Sequence, residues 1–241
     1  MGVYFDIGYM VKSLPVLLSY VHITLGLTVA AVAGGLAASI FLAMAVSKNI
    51  PVLAHFARVY ISFMRGTPFL VQLFLFYFGL PELLIRLGVT AAHSVPGIVY
   101  VALVFAMHVG GYGAEILRTA ILAVPSGQLE AALSCGLSEW QAYRQVIFPQ
   151  AVKIAVEPLV NMVITTLKDT SLVFNVGIID MMRKADLLGA NSQRNLELYI
   201  DTAIIYVLLV LALHYGGKAV IRFIGKKSKR ERAEVQVVEY C

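Results

Sequence analysis

Charged side chains are scarce in this chain. Asp, Glu, Lys and Arg make up 14% of the 241 residues, whereas hydrophobic residues make up 59%. A soluble globular protein has about 25% charged and roughly 45–50% apolar residues. The polar side chains are therefore too few to cover a water-facing surface, and the surplus apolar area must face lipid. This composition excludes a soluble globular protein.

Cysteine is almost absent. Cys135 and Cys241 lack the spacing of a metal site, and two cysteines imply no disulfide framework. The five histidines are scattered, and no two have the i, i+4 spacing of a helical metal site. We therefore expect no metal and no cofactor in the chain, and we expect each histidine to be interfacial or buried with a partner. The first 15 residues also lack the pattern of a cleavable signal.

Long stretches without any charge are present instead. Between Lys12 and Lys48, for example, there is no Asp, Glu, Lys or Arg. About 20 apolar residues suffice for a helix to cross a bilayer, and backbone groups in lipid must pair internally. The uncharged runs predict spanning helices over residues 16–46, 59–80, 95–118 and 199–224. The expected fold is an all-α integral membrane protein, with one transmembrane domain over residues 1–241.

A fifth span is predicted over residues 150–172. Pro158 and four charged residues, Lys153, Glu157, Lys168 and Asp169, interrupt it. Charged residues at membrane depth are tolerated where they face a bundle interior or a wet cavity. We therefore predict that this helix spans the membrane and turns its charges away from lipid.

The basic residues indicate an orientation. Six Lys and Arg residues follow the last apolar run closely, namely Arg222, Lys226, Lys227, Lys229, Arg230 and Arg232. Positive residues favour the cytoplasmic side, so the tail over 225–241 is expected in the cytoplasm and, after five crossings, the N-terminus outside. Loops 47–58 and 119–149 are then cytoplasmic, and loops 81–94 and 173–198 external. Polyanion binding by the tail is the weaker alternative.

Small residues recur at every fourth position of the first predicted span, at Gly26, Ala30, Gly34 and Ala38. Such a stripe allows another helix to approach closely in lipid. We predict that this stripe is a helix-packing face.

The predicted cytoplasmic loop over 126–149 contains two short amphipathic helices. Ser126 is a candidate cap for the first, and Gly136 suits the left-handed residue that ends it. Ser138 is a candidate cap for the second, which is expected to end near Phe148, ahead of Pro149. Such a pair of helices can dock into a groove of another protein, although an ordinary interfacial helix pair has the same pattern.

This loop resembles the EAA loop of ABC importer permeases. The matching residues are Glu130-Ala131-Ala132, then Gly136, then Val146-Ile147-Phe148-Pro149. Other segments are similar to the permeases for polar amino acids (histidine, glutamine, glutamate, arginine and opines). They are Arg65-Gly66-Thr67-Pro68, Val71-Gln72-Leu73-Phe74, Tyr77-Phe78-Gly79-Leu80-Pro81, Ala114-Glu115-Ile116-Leu117-Arg118 and Lys168-Asp169-Thr170-Ser171-Leu172. One departure is Gly110-Gly111-Tyr112, where the family more often has Ser-Gly-Ala-Tyr, and we interpret it as a variation in packing.

The resemblance implies a fold and a set of partners. The fold would be that of a type I ABC importer permease, in a bacterial inner membrane. A second permease subunit, the same or related, would complete the pathway. Two cytoplasmic ATPase subunits would bind ATP and Mg²⁺, and an external binding protein would deliver the amino acid. The coupling segment would run from about Glu130 to Arg144 and include Ala131, Ala132 and Gly136.

The candidates for contact with a solute are polar residues inside the spans. They are Thr67, Gln72, Asn161, Thr165 and Thr166. Hydrogen bonding between helices is the alternative role for each of them. Glu115 and Arg118, three residues apart, are expected to form a local ion pair, and Lys168 and Asp169 to serve gating or structure.

Three other function classes are considered. The chain lacks the Gly-x4-Gly-Lys-Ser/Thr loop of an ATPase, so ATP hydrolysis belongs to a partner. A stand-alone carrier or channel explains polar residues in spans but leaves the paired loop helices unexplained. An intramembrane enzyme requires a catalytic pair or metal triad, and the sequence contains no such pattern. The sequence leaves open which amino acid is moved and whether the permease is a homodimer or a heterodimer.

Overall fold

The chain folds into helices joined by short connections. A computed structural model describes residues 5–47 and 50–239, and side chains as far as residue 224. Within those residues there is no strand. The α-helices are α1 (Ile7–Leu18), α2 (Val21–Ser47), α3 (Leu53–Gly66), α4 (Phe69–Arg86), α5 (Gly97–Leu122), α6 (Ser126–Ser134), α7 (Glu139–Ala142), α8 (Phe148–Asp169), α9 (Met181–Ser192) and α10 (Asn195–Glu239). Two 3₁₀ segments, Thr90–Ser94 and Thr170–Val176, and one π-helical segment, Tyr143–Ile147, complete the described secondary structure.

Five helical stretches are long and apolar enough to cross a membrane. They are Val21–Ser47, Phe69–Arg86, Gly97–Leu122, Glu139–Val176 and Asn195–Ile224. The predicted all-helical membrane fold with five spans is therefore confirmed. The last span lies in α10, whose helix continues to Glu239. The side chains of the predicted basic tail over 225–241 lie outside the described residues.

The bundle is organised around the contact between α2 and α5. A Cβ atom added at Gly35 would overlap Val109, and one at Gly113 would overlap Ser39. Two residues of the predicted stripe contact α5, since a Cβ atom added at Gly34 would lie 3.2 Å from the Ala106 Cβ and one added at Gly110 would lie 3.3 Å from the Ala38 Cβ. Ala31, Gly35 and Ser39, one residue further along, are all buried and lie at the centre of the contact. Both series of residues four apart, Ala30/Gly34/Ala38 and Ala31/Gly35/Ser39, consist of small residues. The sequence alone therefore does not decide which series lies at the centre of the contact with α5.

The second predicted span, 59–80, is two helices. The chain leaves helical geometry at Thr67 (φ −117°, ψ 144°) and Pro68 (φ −61°, ψ 139°) before α4 begins. A residue before proline is disfavoured in the α region because its backbone clashes with the proline ring. This corrects the single helix expected there, and Thr67-Pro68 was the signal for the break.

Glycines of α5 let α3 pack closely against it. A Cβ atom at Gly111 would lie 2.6 Å from the Met64 Cβ, and one at Gly110 would lie 3.4 Å from the Tyr60 hydroxyl. Tyr60 donates a hydrogen bond of 2.6 Å to the Met107 carbonyl. The Gly110-Gly111 departure from the family pattern thus coincides with a close approach of two helices.

The first predicted span, 16–46, also needs correction. The chain breaks at Ser19 and Tyr20, so that α1 is a separate helix. Leu17 belongs to a cluster with Met181 and Leu198, and Ser13 donates a 2.7 Å hydrogen bond to Asp201. Packing against α9 and α10 therefore holds α1 apart from the axis of α2. The predicted external loop 173–198 likewise contains α9.

Candidate translocation face and coupling helices

One face of α8 is polar although the helix is part of a membrane span. Glu157, Asn161, Thr165 and Lys168 are all exposed and are spaced four, four and three residues apart. Residues with this spacing lie on one side of a helix. Polar and charged groups are costly in hydrocarbon. We infer that this face, called here the α8 polar face, turns toward water or protein in the membrane.

Two other candidates on α8 are placed differently. Thr166 is buried and donates a 2.9 Å hydrogen bond to the Met162 carbonyl. Asp169 is partly buried at the end of α8, directly before the 3₁₀ segment that starts at Thr170. The structure therefore brings Asn161, Thr165 and Lys168 together and separates Thr166 from them. A solute contact by any of these residues stays a prediction.

Gln72 lies at the break between α3 and α4 and is fully buried. Its Nε2 donates to the Met64 carbonyl at 2.7 Å, to the Thr67 carbonyl at 3.0 Å and to Thr67 Oγ1 at 2.8 Å. The last carbonyls of a helix have no partner within the helix. Gln72 supplies that partner for α3, so both Gln72 and Thr67 are engaged in joining two helices in this conformation.

His108 is the other buried partner of Gln72. Its Nδ1 lies 2.8 Å from Gln72 Oε1, and its ring packs against Phe69 and Tyr112 at centroid distances of 4.8 and 4.6 Å. The expectation of a buried histidine with a partner is met here. The described residues contain no group of three His, Cys, Asp or Glu side chains that could hold a metal ion.

Glu115 and Arg118 form the predicted ion pair. Arg118 donates to both Glu115 carboxylate oxygens, at 2.8 Å from Nε and 2.7 Å from Nη2. Arg65 of α3 approaches the same carboxylate, with Nη1 3.4 Å from Oε1. The sequence interpretation missed Arg65 as a partner, because α3 and α5 are far apart in the chain and nothing local indicates that they meet.

The coupling segment consists of α6, α7 and the π-helical residues. Gly136 ends the first helix with φ +84°, as predicted. A Cβ atom at Gly136 would have no neighbour within 4 Å, so the backbone conformation alone favours glycine here. Ser138 caps α7 through a complete capping box with Gln141. Ser126 is not a cap, because α6 begins there and Pro125 occupies the N-cap position without a side-chain bond.

The second helix of this segment does not stop at Phe148. The chain passes from α7 through Tyr143–Ile147 into α8 without leaving helical geometry. Pro149 is the second residue of α8 and follows directly on the π-helical segment Tyr143–Ile147, so its missing N–H falls where the hydrogen-bonding pattern of the helix changes. The part of the coupling segment from Glu139 onward and the α8 polar face therefore belong to one continuous helical stretch, Glu139–Val176.

The coupling segment is attached on one side and open on the other. Ala132 is buried, and Leu129 packs against a small apolar cluster of Val124, Ile147 and Ala151. Several residues are exposed, including Glu130, Ala131, Gly136 and Arg144. Leu133 and Trp140 are apolar residues that keep 43% and 61% of their surface exposed. Such an outward surface is typical of a protein-docking site.

A family model described as "Binding-protein-dependent transport system inner membrane component" matches residues 35–226. The L-cystine transport system permease protein TcyL of Bacillus subtilis is 36% identical over 94% of this chain and 94% of its own length. The glutamine transport system permease protein GlnP of Escherichia coli is 33% identical over 88% of this chain and 94% of its own.

Solved structures of ABC transporters contain chains that are similar to this one. An amino acid ABC transporter with histidines has a chain that is 36% identical, with a TM-score of 0.81 over 92% of this chain and 99% of that chain. A chain of the inward-facing MetNI methionine ABC transporter is 18% identical, with a TM-score of 0.71 over 88% of this chain and 98% of that chain. This second similarity concerns the fold alone.

Proposed function

This chain belongs to the family of binding-protein-dependent transport system inner membrane components, and on that premise we propose that it conducts a polar amino acid along the α8 polar face. It is a multi-pass permease subunit of an ABC importer. Curated relatives named for cystine and for glutamine transport support an amino acid as the solute. We further propose that residues of the α8 polar face contact this solute and that the coupling segment links ATP hydrolysis to transport.

The observation that carries the proposal is the chemistry of the α8 polar face. A free amino acid needs donors for its carboxylate and acceptors for its ammonium group. Lys168 and Glu157 offer the two charges, and Asn161 and Thr165 between them offer neutral donors and acceptors. Glu157 and Lys168 are separated by about 16 Å along the helix at 1.5 Å per residue. An amino acid is shorter than this, so the face offers successive contacts along a path.

The exposure of this face supports a second subunit. A polar helix face cannot be left against lipid, so another permease chain, the same or related, would cover it and enclose the path between the two. The proposed arrangement places the N-terminus outside and the C-terminus in the cytoplasm. An extracytoplasmic binding protein delivers the solute.

The coupling segment is proposed to dock on a cytoplasmic ATPase subunit, one for each permease chain. Leu133 and Trp140 supply apolar contacts, and Glu130 and Arg144 supply charged contacts around them. ATP and Mg²⁺ bind to that ATPase. Because the coupling segment continues into α8, a displacement of the docked helices reaches the α8 polar face directly.

The test is transport by the reconstituted importer carrying Asn161→Leu. We expect uptake to fall at least tenfold while the assembly and its thermal stability are retained. Asn191→Leu is the matched control, because it makes the same exchange at an exposed position of α9 outside the spans. A loss of thermal stability with unchanged substrate-stimulated ATP hydrolysis would instead assign Asn161 to contacts between helices.

A further inference from the structure

The helical stretch Glu139–Val176 has an unusual step in its buried face. Along its first half, the buried residues, each with an exposed fraction of 5% or less, are Ala142, Ile147, Ala151 and Ala155. They lie five, four and four residues apart. In an α-helix of 3.6 residues per turn, residues four apart share a face, whereas residues five apart point about 140° away from each other. A regular α-helix would therefore turn Ala142 away from the side that buries Ile147.

The neighbouring face of the same stretch has the same step. Tyr143, Phe148 and Val152, which are five and four residues apart, line one cavity of about 740 Å³ beside the ends of α2 and α5. The rings of Tyr143 and Phe148 also lie against each other, with their centroids 6.0 Å apart. Both faces therefore need one turn of about five residues at the same place in the chain.

The backbone supplies this turn. The Phe148 N–H donates to the Tyr143 carbonyl five residues before it, and Tyr143–Ile147, called here the π turn, has π-helical geometry. Pro149 opposes a regular α-helix at this place, because its ring would clash with the Gln145 carbonyl four residues before it. The side-chain pattern and the proline both favour the π turn, so the turn is specified by the sequence.

The π turn lies between α7 and α8 and is weakly held. Pro149 has no N–H to donate to a carbonyl of the turn, and the side chains of Arg144 and Gln145 are exposed. Tyr143 lines a second cavity, of about 580 Å³, besides the one of about 740 Å³. A helix that lacks a hydrogen bond and borders free volume bends more easily there than elsewhere, and single π turns occur frequently at functional sites.

We propose that the π turn is a joint, at which α7 tilts against α8 when the docked ATPase changes its conformation. Burial of Ala151 and Ala155 holds the first half of α8 in the bundle, and the cavities beside Tyr143 give α7 room to move. Without a joint, a movement of the ATPase would pull either α7 out of its docking groove or α8 out of its packing. A joint has this use only if the coupling segment docks on the ATPase, so its role rests on that proposed function.

A variant that straightens the helix without turning its faces tests this role. Deletion of Gln145 shortens both five-residue steps to four, and Pro149→Ala removes the clash, so a regular α-helix keeps the same buried face. We expect this double variant to unfold at the same or a higher temperature, because alanine is a better helix former than proline. In the reconstituted importer, uptake should fall at least tenfold, and ATP hydrolysis should stop responding to the loaded binding protein.

Pro149→Ala without the deletion is the matched control. Both five-residue steps remain and so does the π turn, and alanine leaves no buried cavity because Pro149 is exposed. Uptake and stimulated ATP hydrolysis should be close to those of the unmodified importer. Normal coupling in the double variant would overturn the joint. A tenfold loss of uptake in the control would also overturn it, since the proline and not the turn would then be responsible.

Hydrogen exchange of backbone amides, measured by mass spectrometry on the assembled importer, tests the joint in the unmodified chain. The exchange rate over 143–148 should differ at least fivefold between the nucleotide-free and the ATP-bound assembly, while the rate over 183–188 in α9 should stay the same. In the double variant, the amides over 143–148 should exchange at least tenfold more slowly than in the unmodified chain. Equal rates over 143–148 in the two nucleotide states would overturn the joint, whether or not the double variant folds.

Gly136→Val separates the joint from the docking on which it rests. Normal coupling in Gly136→Val would contradict docking of the coupling segment. Loss of coupling in Gly136→Val together with normal coupling in the double variant would contradict the joint alone.

Discussion

The side chains of Gln72 and His108 meet inside the bundle, with Nδ1 of His108 2.8 Å from Oε1 of Gln72. An amide oxygen only accepts, so Nδ1 of His108 carries the proton and donates. The same Gln72 holds the α3–α4 break through its Nε2. One side chain therefore ties three helices together at a point where the backbone of a span is interrupted.

Gln72→Leu should destabilise the protein. It leaves the Met64 carbonyl and His108 Nδ1 without their partner in a buried place. A buried polar group that loses its partner costs about 1–3 kcal/mol. We expect a lower temperature of thermal unfolding in detergent. In the double variant with His108→Phe, the loss should be smaller than the sum of the two single losses.

A different result would reassign Gln72. If Gln72→Leu unfolds at the same temperature as the unmodified protein but no longer transports, its side chain acts on the solute path and does not join helices.

Gly136→Val should uncouple transport from ATP hydrolysis. Its φ of +84° costs a residue with a Cβ atom roughly 1–2 kcal/mol, and the exposed turn positions the surface proposed to dock on the ATPase. The spanning helices are not touched, so the chain should still insert. Uptake should be lost in proteoliposomes, and ATP hydrolysis should either be lost or stop responding to the loaded binding protein. Glu130→Ala should act in the same direction but more weakly.

Gly127→Ala is the matched control for the coupling turn. Gly127 lies within α6, has no neighbour within 4 Å of an added Cβ and does not have a positive φ. Alanine there should be neutral or stabilise the helix by about 0.5–1 kcal/mol. Normal coupling in Gly136→Val would show that the loop is only a connector.

Asp180→Asn should stabilise the protein at neutral pH. Asp180 is fully buried at the start of α9, where Oδ1 accepts a 2.8 Å hydrogen bond from the Arg183 N–H, while Oδ2 is buried without a partner among the described residues. Burial raises the pKa of the Asp180 carboxyl from 3.8 to about 6. The folded state therefore holds this proton more tightly than the unfolded state does.

The sign of the pH dependence follows from that shift. The proton on Asp180 contributes on the order of 2–3 kcal/mol to the free energy of unfolding. This contribution is fully present below about pH 4 and is lost as the pH rises through about 6. Asparagine keeps the cap and removes the buried charge, so its gain in unfolding temperature should be largest above pH 7 and should shrink toward pH 5. Asp186→Asn should bring no gain, since it breaks the 2.7 Å ion pair with Arg183. An equal gain for both variants would rule out burial as the cause.

The parts of the fold that sequence predicts are those set by composition or by one residue's backbone. Uncharged runs between distant charges give four of the five spans, and Gly136 is predictable because few other residues accept a positive φ. The break at Thr67-Pro68 carried a local signal as well. The break at Ser19-Tyr20 had none, because contacts of Leu17 and Ser13 with α9 and α10 decide it.

The candidate site also has features that the sequence predicts and features that depend on tertiary contacts. The spacing of Asn161 and Thr165 predicts that they share a face, and that face is exposed. The sequence did not separate Thr166 or Gln72 from them, because burial depends on which neighbouring helix covers each side of a span. Arg65 was missed for a similar reason, since its contact with Glu115 joins α3 to α5.

Reaction of single cysteines with a membrane-impermeant, water-soluble thiol reagent tests most directly whether the α8 polar face is an aqueous path. With Cys135 and Cys241 replaced by serine, Thr165→Cys probes the α8 polar face, and Val207→Cys probes an exposed apolar position of α10 as the control. We expect Thr165→Cys to react in the assembled importer and to be protected by the transported amino acid, while Val207→Cys stays unreactive. Failure of Thr165→Cys to react, or reaction that the amino acid does not slow, would contradict a path along this face.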